Sequence, residues 1–292
     1  MQILQLITSP DNINDWNGSE IIDRQKRILQ WHDFIRELSG TTVSHVWGSH
    51  QILNHREPSS SKEAYVTVLD VENLDHYDDI MAKDPLRDRA KYMTVMLTRL
   101  EDDWSDDQKR LEEAKRDLFD TKDAEPDWYM QERRMFKKRP DYVGKHKFIK
   151  PENPPVNWKT GREKLNKQFA GKPLEILIYG MNPEEMMLWS DVRKLIHYEK
   201  VIWWHHHIAE MLNRGHVSHV WGTHDFCRTD RTSGNSANAP VVYRATDLDE
   251  FDSIYRKDPL RTHGRFISLV LRPIEDQARY DELRLDQVKR LY

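Results

Sequence analysis

VSHVWGSH begins at Val43, and VSHVWGTH begins at Val217, 174 residues further along the chain. The pentapeptide KDPLR begins at Lys83 and again at Lys257, which is the same separation. An acidic pair, ED, recurs at that separation too. Internal repeats are sought first, because a repeat that is missed leads to the wrong fold prediction. Three matches in one register predict that the chain contains one domain twice, aligned without a gap.

Extended over the chain, this register predicts two repeats, residues 1–118 and 175–292. Between them, residues 119–174 are rich in Pro and basic residues and carry aromatic residues such as Trp128 and Trp158. A solvated linker has few aromatic residues. We therefore predict a strap that packs on the repeats, whose basic cluster is either a solvated helix face or a site for an anion or partner.

The first repeat is typical of the element order βαββαβ, followed by a charged helix. Ile28, Trp31, Ile35 and Leu38 recur at helical spacing, and runs rich in Val, Tyr and Thr favour strands. This order is the ferredoxin-like unit, in which two helices cover one face of a four-stranded antiparallel sheet. Because the other face must also be buried, we predict an α+β fold in which two ferredoxin-like repeats pack as an intrachain pseudo-dimeric α/β barrel.

Composition excludes several classes of protein. A single cysteine, Cys227, excludes an intrachain disulfide and favours the cytoplasm. No apolar run approaches the roughly 20 residues of a membrane helix, and the first residues lack the basic leader of a signal peptide. A net charge of −4 gives no reason to expect nucleic acid. We expect a cytoplasmic protein with neither a nucleic-acid nor a membrane partner, and homo-oligomerisation stays open.

Fourteen histidines raise the question of a metal. His205, His206 and His207 are consecutive on a predicted helix, so their side chains fan out and cannot all reach one ion. HExxH, paired cysteines and glycine-rich phosphate loops are absent from the sequence. We therefore expect no cofactor. A metal held by distant residues such as His45 and His219, or a haem held by one His, is the alternative.

The repeated VSHVWG segment has the residue pattern of a strand. Residues two apart share a face, so His45 lies beside Trp47 and His219 beside Trp221. Gly48 would allow a bulge or the close approach of a ligand. Two interpretations are equally open: a substrate pocket wall made of an aromatic ring and an imidazole, or a His–Trp layer that holds the repeats together.

A second candidate lies on the first predicted helix. His32 follows Ile28 by four residues and precedes Ile35 by three, so it borders the apolar face. His206 has the same relation to Ile202. A His at such an edge is either a hydrogen-bonded structural residue or, beside a carboxylate, a general acid or base near neutral pH.

The helix segment WHDFIRELSG, a following strand with Gly, and the helix end KDPLR resemble the YCII-related family of the dimeric α/β-barrel superfamily. The resemblance implies a His–Asp pair, here His32 with Asp84, and His206 with Asp258. Two features depart from the family: Leu follows Asp-Pro where an aromatic residue is usual, and the family chain is typically a single copy. Both Asp residues also have a simpler explanation, since polar residues before Pro commonly end helices.

The resemblance implies a cytosolic enzyme that acts on a small organic molecule by His–Asp acid/base chemistry, of isomerase, lyase or cofactor-free oxygenase type. A non-catalytic ligand-binding or assembly protein, and a haem- or metal-dependent enzyme of the same superfamily, are the alternatives. Arg87 and Arg261 follow the two Asp residues by three positions and are candidates for binding a substrate carboxylate or for pairing with an acidic neighbour. The predicted substrate-binding residues are His45, Trp47, Arg87, His219, Trp221 and Arg261.

Overall fold

A computed structural model describes residues 1–10, 12–49, 64–118, 167, 171–181, 189–229, 239–261 and 265–292. Its strands and helices, in chain order, are β1 (Gln2–Thr8), α1 (Gly18–Leu38), β2 (Val43–Ser49), β3 (Ala64–Asp70), α2 (Leu74–Lys83), β4 (Lys91–Thr98), α3 (Leu100–Leu118), β5 (Leu174–Met181), α4 (Asp191–Asn213), β6 (Val217–Val220), β7 (Gly222–Thr229), β8 (Pro240–Ala245), α5 (Leu248–Tyr255), β9 (Arg265–Val270), β10 (Arg272–Pro273) and α6 (Ile274–Leu291). The predicted burial of Trp128 and Trp158 in the strap concerns residues outside those that the structure describes.

The strands form two sheets. The first has the order β10-β2-β3-β1-β4-β7, and the second has the order β6-β8-β5-β9. β1 pairs antiparallel with β3 and β4, β2 pairs with β3, and both β5 and β6 pair with β8. Each sheet thus contains the strand order of a ferredoxin-like unit. The predicted α+β class with antiparallel sheets is confirmed.

Local sequence signals set the ends of α1. The side chain of Asn17 accepts from the backbone N–H of Glu20, and the Glu20 side chain accepts from the backbone N–H of Asn17, which is a complete capping box. Gly40, two residues past the helix, has a φ of 82° that L side chains rarely adopt. Within the described ranges, no helix combines the length and apolar character needed to cross a membrane.

The chain divides into two compact units that do not coincide with the predicted repeats. The first takes in Met1–Thr98, Thr223–Ser236 and Ile267–Tyr292, and the second takes in Arg99–Gly222 and Ala237–Phe266. The C-terminal helices are therefore exchanged. In the first unit α6 packs on α1, and in the second unit α3 packs on α4. One residue alone separates β4 from α3, so the direction in which the chain leaves the sheet decides where α3 packs.

The two long helices correspond at a separation of 173, not 174. Trp31 is buried in α1 as Trp204 is in α4. Ile35 precedes the start of β2 by eight residues, whereas its counterpart Ile208 precedes the start of β6 by nine. The prediction of a gap-free alignment is therefore wrong at this turn, because the second half contains one more residue between helix and strand.

Candidate functional site

Asp84 closes the turn that follows α2. Its carboxylate accepts a hydrogen bond from the backbone N–H of Leu86 at 2.7 Å and another from the Tyr92 hydroxyl at 2.9 Å. Burial raises the pKa of this carboxyl to about 6, although both hydrogen bonds oppose the shift. The predicted pair of His32 with Asp84 is wrong, because Asp84 is used within its own turn and His32 bonds to another carboxylate.

Asp258 has the same role after α5. It accepts from the backbone N–H of Leu260 at 2.8 Å and from the Tyr243 hydroxyl at 3.3 Å. Burial raises the pKa of Asp258 to about 6. His206 is exposed, and its ring lies edge-on to Trp104 with centroids 5.6 Å apart. The predicted pair of His206 with Asp258 is therefore wrong as well, since the extra residue in the second turn moves the helix register by one.

The partner of His32 is Asp281, on α6. His32 Nε2 lies 2.9 Å from Asp281 Oδ2, and the Tyr65 hydroxyl donates to the same oxygen at 2.9 Å. The Gln277 amide donates to both carboxylate oxygens at 3.2 and 3.3 Å. Burial, and then the charge of Asp281, raise the pKa of Tyr65 far above its usual value, so the phenol remains a donor. Asp281 is fully buried and satisfied by three side chains.

The second unit holds a related cluster around His205, on α4. His205 Nε2 lies 3.0 Å from Asp107 Oδ2 and 3.9 Å from Asp103 Oδ2, and both carboxylates are on α3. Only 4% of the imidazole and 7% of each aspartate side chain are exposed. Arg110 reaches the other oxygen of Asp107 at 3.5 Å from a half-exposed position.

The two clusters differ at matched positions. Asp107 corresponds to Asp281 at the separation of 174, but Asp103 corresponds to Gln277, and Ala239 takes the place of Tyr65. The second cluster therefore has a carboxylate where the first has an amide, and it lacks the phenol donor. None of these four helix residues was a predicted site residue, because the sequence pattern of the two helices predicted only that they are charged. Their spacing of four, Asp103 with Asp107 and Gln277 with Asp281, was the available signal.

The strand motifs behave alike in both halves. The His45 ring stacks on Trp47 with centroids 5.4 Å apart, and the His219 ring stacks on Trp221 at 5.6 Å. In each pair the imidazole is partly buried and the indole is buried. The predicted shared face is confirmed within each pair, whereas a substrate-binding role for these four residues stays a prediction.

Beside the first pair, Gly48 makes room for another part of the protein. A Cβ atom at Gly48 would lie 2.2–2.6 Å from side-chain carbons of Gln277, so the close approach that this glycine permits is to α6. Arg87 is exposed, and the Arg261 guanidinium lies 5.8 Å from the centroid of the Tyr255 ring. Substrate binding by either arginine stays a prediction.

Comparison with known proteins finds similarity to solved structures at low sequence identity. No family model matches this chain, and no curated protein matches it. It is similar to chlorite dismutase from Candidatus Nitrospira defluvii in complex with imidazole, at 9% identity and a TM-score of 0.41, over 96% of this chain and 94% of that one. A protein from Thermus thermophilus described as a novel heme-binding protein covers the same shares at 12% identity and a TM-score of 0.42. At these TM-scores the likeness says nothing about function.

Proposed function

We propose that this chain is an enzyme for a small organic molecule and that the His205–Asp107 pair of the second unit supplies its acid/base group. The observation that carries the proposal is the difference between the two clusters. Asp281 is satisfied by three buried donors, whereas Asp107 has the imidazole and the half-exposed Arg110 guanidinium at 3.5 Å, with a second carboxylate beside it.

The hydrogen bond sets the tautomer of His205. When the neutral ring donates Nε2–H to Asp107, the lone pair is on Nδ1, which is the basic nitrogen. Nδ1 is buried, and in the described part of the chain no hydrogen-bond partner occupies it. A carboxylate in this position also stabilises the imidazolium that forms when the base takes a proton. The hydrogen bond therefore orients the ring as a general base requires, and a substrate must also reach the buried Nδ1.

The first cluster supports a structural role. His32 is enclosed by Trp31 and by Tyr65, with ring centroids 5.4 and 5.7 Å from its own. Its carboxylate partner already accepts hydrogen bonds from three buried side chains. We assign this pair to joining α6 to α1.

We also propose that the chain is a tandem duplication of one ferredoxin-like unit of the dimeric α/β-barrel type. Besides the shared strand order, both β2 and β6 contain an irregular register, at Ser44 and at Ser218. In each case the hydroxyl donates to a backbone carbonyl of the neighbouring strand, that of Val68 or Val242. Membership of the YCII-related family, the face-to-face barrel packing and the cytoplasmic location stay predictions.

The second candidate function is that of a haem-dependent enzyme. An axial ligand must offer the iron an imidazole nitrogen. His32 and His205 do not fit this role as they stand, since Nε2 of each bonds to a carboxylate. The visible spectrum of purified protein, before and after addition of hemin, tests this candidate directly: a Soret band at one equivalent would establish it.

The test of the main proposal is a matched pair of variants. The purified protein is incubated with a panel of small carbonyl and carboxylate compounds, and products are detected by mass spectrometry. Asp107→Asn should lower kcat on any substrate found by about 10²–10⁴, the usual contribution of acid/base catalysis. Asp281→Asn, the matched control, should cost stability and leave kcat within a few-fold. Equal losses in both variants would contradict the assignment to the second unit.

A further inference from the structure

We propose that Asp103, Asp107 and His205 form a binding site for one divalent cation. The inference deepens the proposed function, since it uses the same cluster: with an ion bound, Nε2 is a ligand and Nδ1 carries the proton, so a water bound to the ion would take the role of the base. Asp103 and Asp107 are four residues apart on one face of α3, and α4 presents His205 to that face. Each of the three residues offers one ligand atom, and these atoms all lie within 4.8 Å of one another.

The separations are close to those of a coordinated ion. Protein ligands bind metals such as Zn²⁺ at about 2.0–2.2 Å, which places neighbouring ligand atoms roughly 3–3.5 Å apart at tetrahedral or octahedral angles. Here His205 Nε2 lies 3.0 Å from Asp107 Oδ2 and 3.9 Å from Asp103 Oδ2. Small side-chain rotations would therefore admit an ion among the three ligand atoms.

Burial and charge favour a cation at this place. Two carboxylates that are almost fully buried face one imidazole, and the half-exposed Arg110 reaches one of these carboxylates at 3.5 Å. His205 is 96% buried and directs Nε2 between the carboxylates. Neither of its nitrogens has a hydrogen-bond partner outside the cluster among the residues that the structure describes.

The donor set indicates the kind of ion. Two carboxylate oxygens with one imidazole nitrogen suit Mn²⁺, Fe²⁺ or Zn²⁺, because carboxylates favour hard cations and imidazole favours later transition metals. Three protein ligands leave coordination positions for water or a substrate oxygen. The ion would then hold the small organic substrate, while the surrounding residues orient it.

The first unit provides a built-in comparison. Gln277 replaces Asp103, and its amide donates hydrogen bonds to Asp281 instead of offering a negative charge. Tyr65 donates to the same carboxylate. Those donors occupy the oxygens that an ion would need, so we expect binding in the second unit alone.

The experiment measures binding without turnover, so that failure of this inference and failure of the proposed enzyme are separate results. Full-length protein is stripped with a chelator, and Mn²⁺ is titrated while the signal of free Mn²⁺ is followed by electron paramagnetic resonance. We expect one equivalent of Mn²⁺ per chain. Asp103→Gln, which reproduces the arrangement of the first unit, should weaken binding at least tenfold. Circular dichroism and the melting temperature without metal confirm that each variant is folded.

Two matched controls decide the location. Asp281→Asn and Gln277→Asn change the first cluster and should leave the affinity for Mn²⁺ unchanged. Absence of stoichiometric binding to wild-type protein would overturn the inference, as would equal weakening by Asp281→Asn. The first result would assign the counter-charge to a protein group instead, and the fully buried Lys200 on α4, which with Asp107 influences the pKa of His197, is a candidate.

Discussion

His32 Nε2 and Asp281 Oδ2 lie 2.9 Å apart although 249 positions of sequence separate the two residues. The bond joins α1 to α6 inside the first compact unit. It is buried on both sides, and Tyr65 shares the same carboxylate oxygen.

Asp281→Ala should therefore destabilise the protein strongly. It leaves three buried donors, on His32, Tyr65 and Gln277, without their acceptor, and each unsatisfied group costs roughly 1–3 kcal/mol. We expect the free energy of unfolding in urea to fall by about 3 kcal/mol. Glu282→Ala, at the exposed neighbouring position, should change it by less than about 0.5 kcal/mol. A change for Asp281→Ala as small as that of its neighbour would contradict the network.

The corrected helix register makes a prediction about two adjacent histidines. His205 is buried and bonded to Asp107, whereas His206 is exposed. His205→Ala should lower the free energy of unfolding by about 2–4 kcal/mol, since it creates a cavity and leaves a carboxylate without its partner. His206→Ala should lie within about 0.5 kcal/mol of wild type. A larger loss for His206→Ala than for His205→Ala would contradict this register and support a separation of 174 between α1 and α4.

Gly48 and Gln277 should show strong coupling in a double-mutant cycle. Gly48→Ala places a methyl group 2.2–2.6 Å from the Gln277 side chain, and overpacking of this kind costs typically about 1–3 kcal/mol. Gln277→Ala removes two of the three obstructing carbons and keeps Cβ at 2.6 Å, so it should recover part of that loss in the double variant. Additive effects, measured by urea unfolding of all four proteins, would show that the two residues are not in contact.

The pH dependence of stability should report Asp84 and Asp258. Burial raises the pKa of each from 3.8 to about 6, so the folded state binds more protons than the unfolded state between these values. Stability from these groups is fully present below about pH 4 and is lost as pH rises through 6. Relative to the double variant Asp84→Asn with Asp258→Asn, wild type should lose roughly 2–3 kcal/mol per carboxyl over this range.

The same pH window contains an opposing contribution. Burial, followed by the charge of Lys200, lowers the pKa of His197 to about 4, so stability from His197 is lost as pH falls from about 6.5 to 4. The comparison must therefore be made between wild type and the double variant, in which His197 is unchanged. Parallel stability curves from pH 4 to 7 would show that the two carboxyls ionise normally.

Sequence patterns could predict the helices and strands, but they could not predict which side chains bond to each other across them. The apolar spacing of Ile28, Trp31 and Ile35 predicted α1 and its buried face, and the VSHVWG repeat predicted the stacked His–Trp pairs. The motifs are all 174 residues apart, but the long helices correspond at 173. Because the extra residue before β6 is not visible in the motif spacing, the sequence predicted His206 instead of His205. The repeated KDPLR motif predicted Asp84 and Asp258 as catalytic residues. A motif that recurs because it forms a turn cannot be distinguished by sequence alone from one that recurs because it is catalytic.

The exchange of α3 and α6 was beyond sequence reasoning for a different reason. Both helices are charged, and both have one apolar face with buried residues at Leu111 in α3 and at Leu285 in α6. Either helix would suit either long helix by hydrophobic pattern alone. The choice depends on the direction in which the chain leaves β4 and β10, which periodicity does not encode.

The exchange also sets an order of completion during synthesis. The second unit has all of its residues once Phe266 has been made, whereas the first unit, which holds the N-terminal strand, waits for the stretch from Ile267 to Tyr292. A ribosome adding about 5–20 residues each second would thus expose β1, α1 and β3 long before α6 arrives to cover α1. The unit that contains the first strand to be made is thus the unit whose residues are complete last.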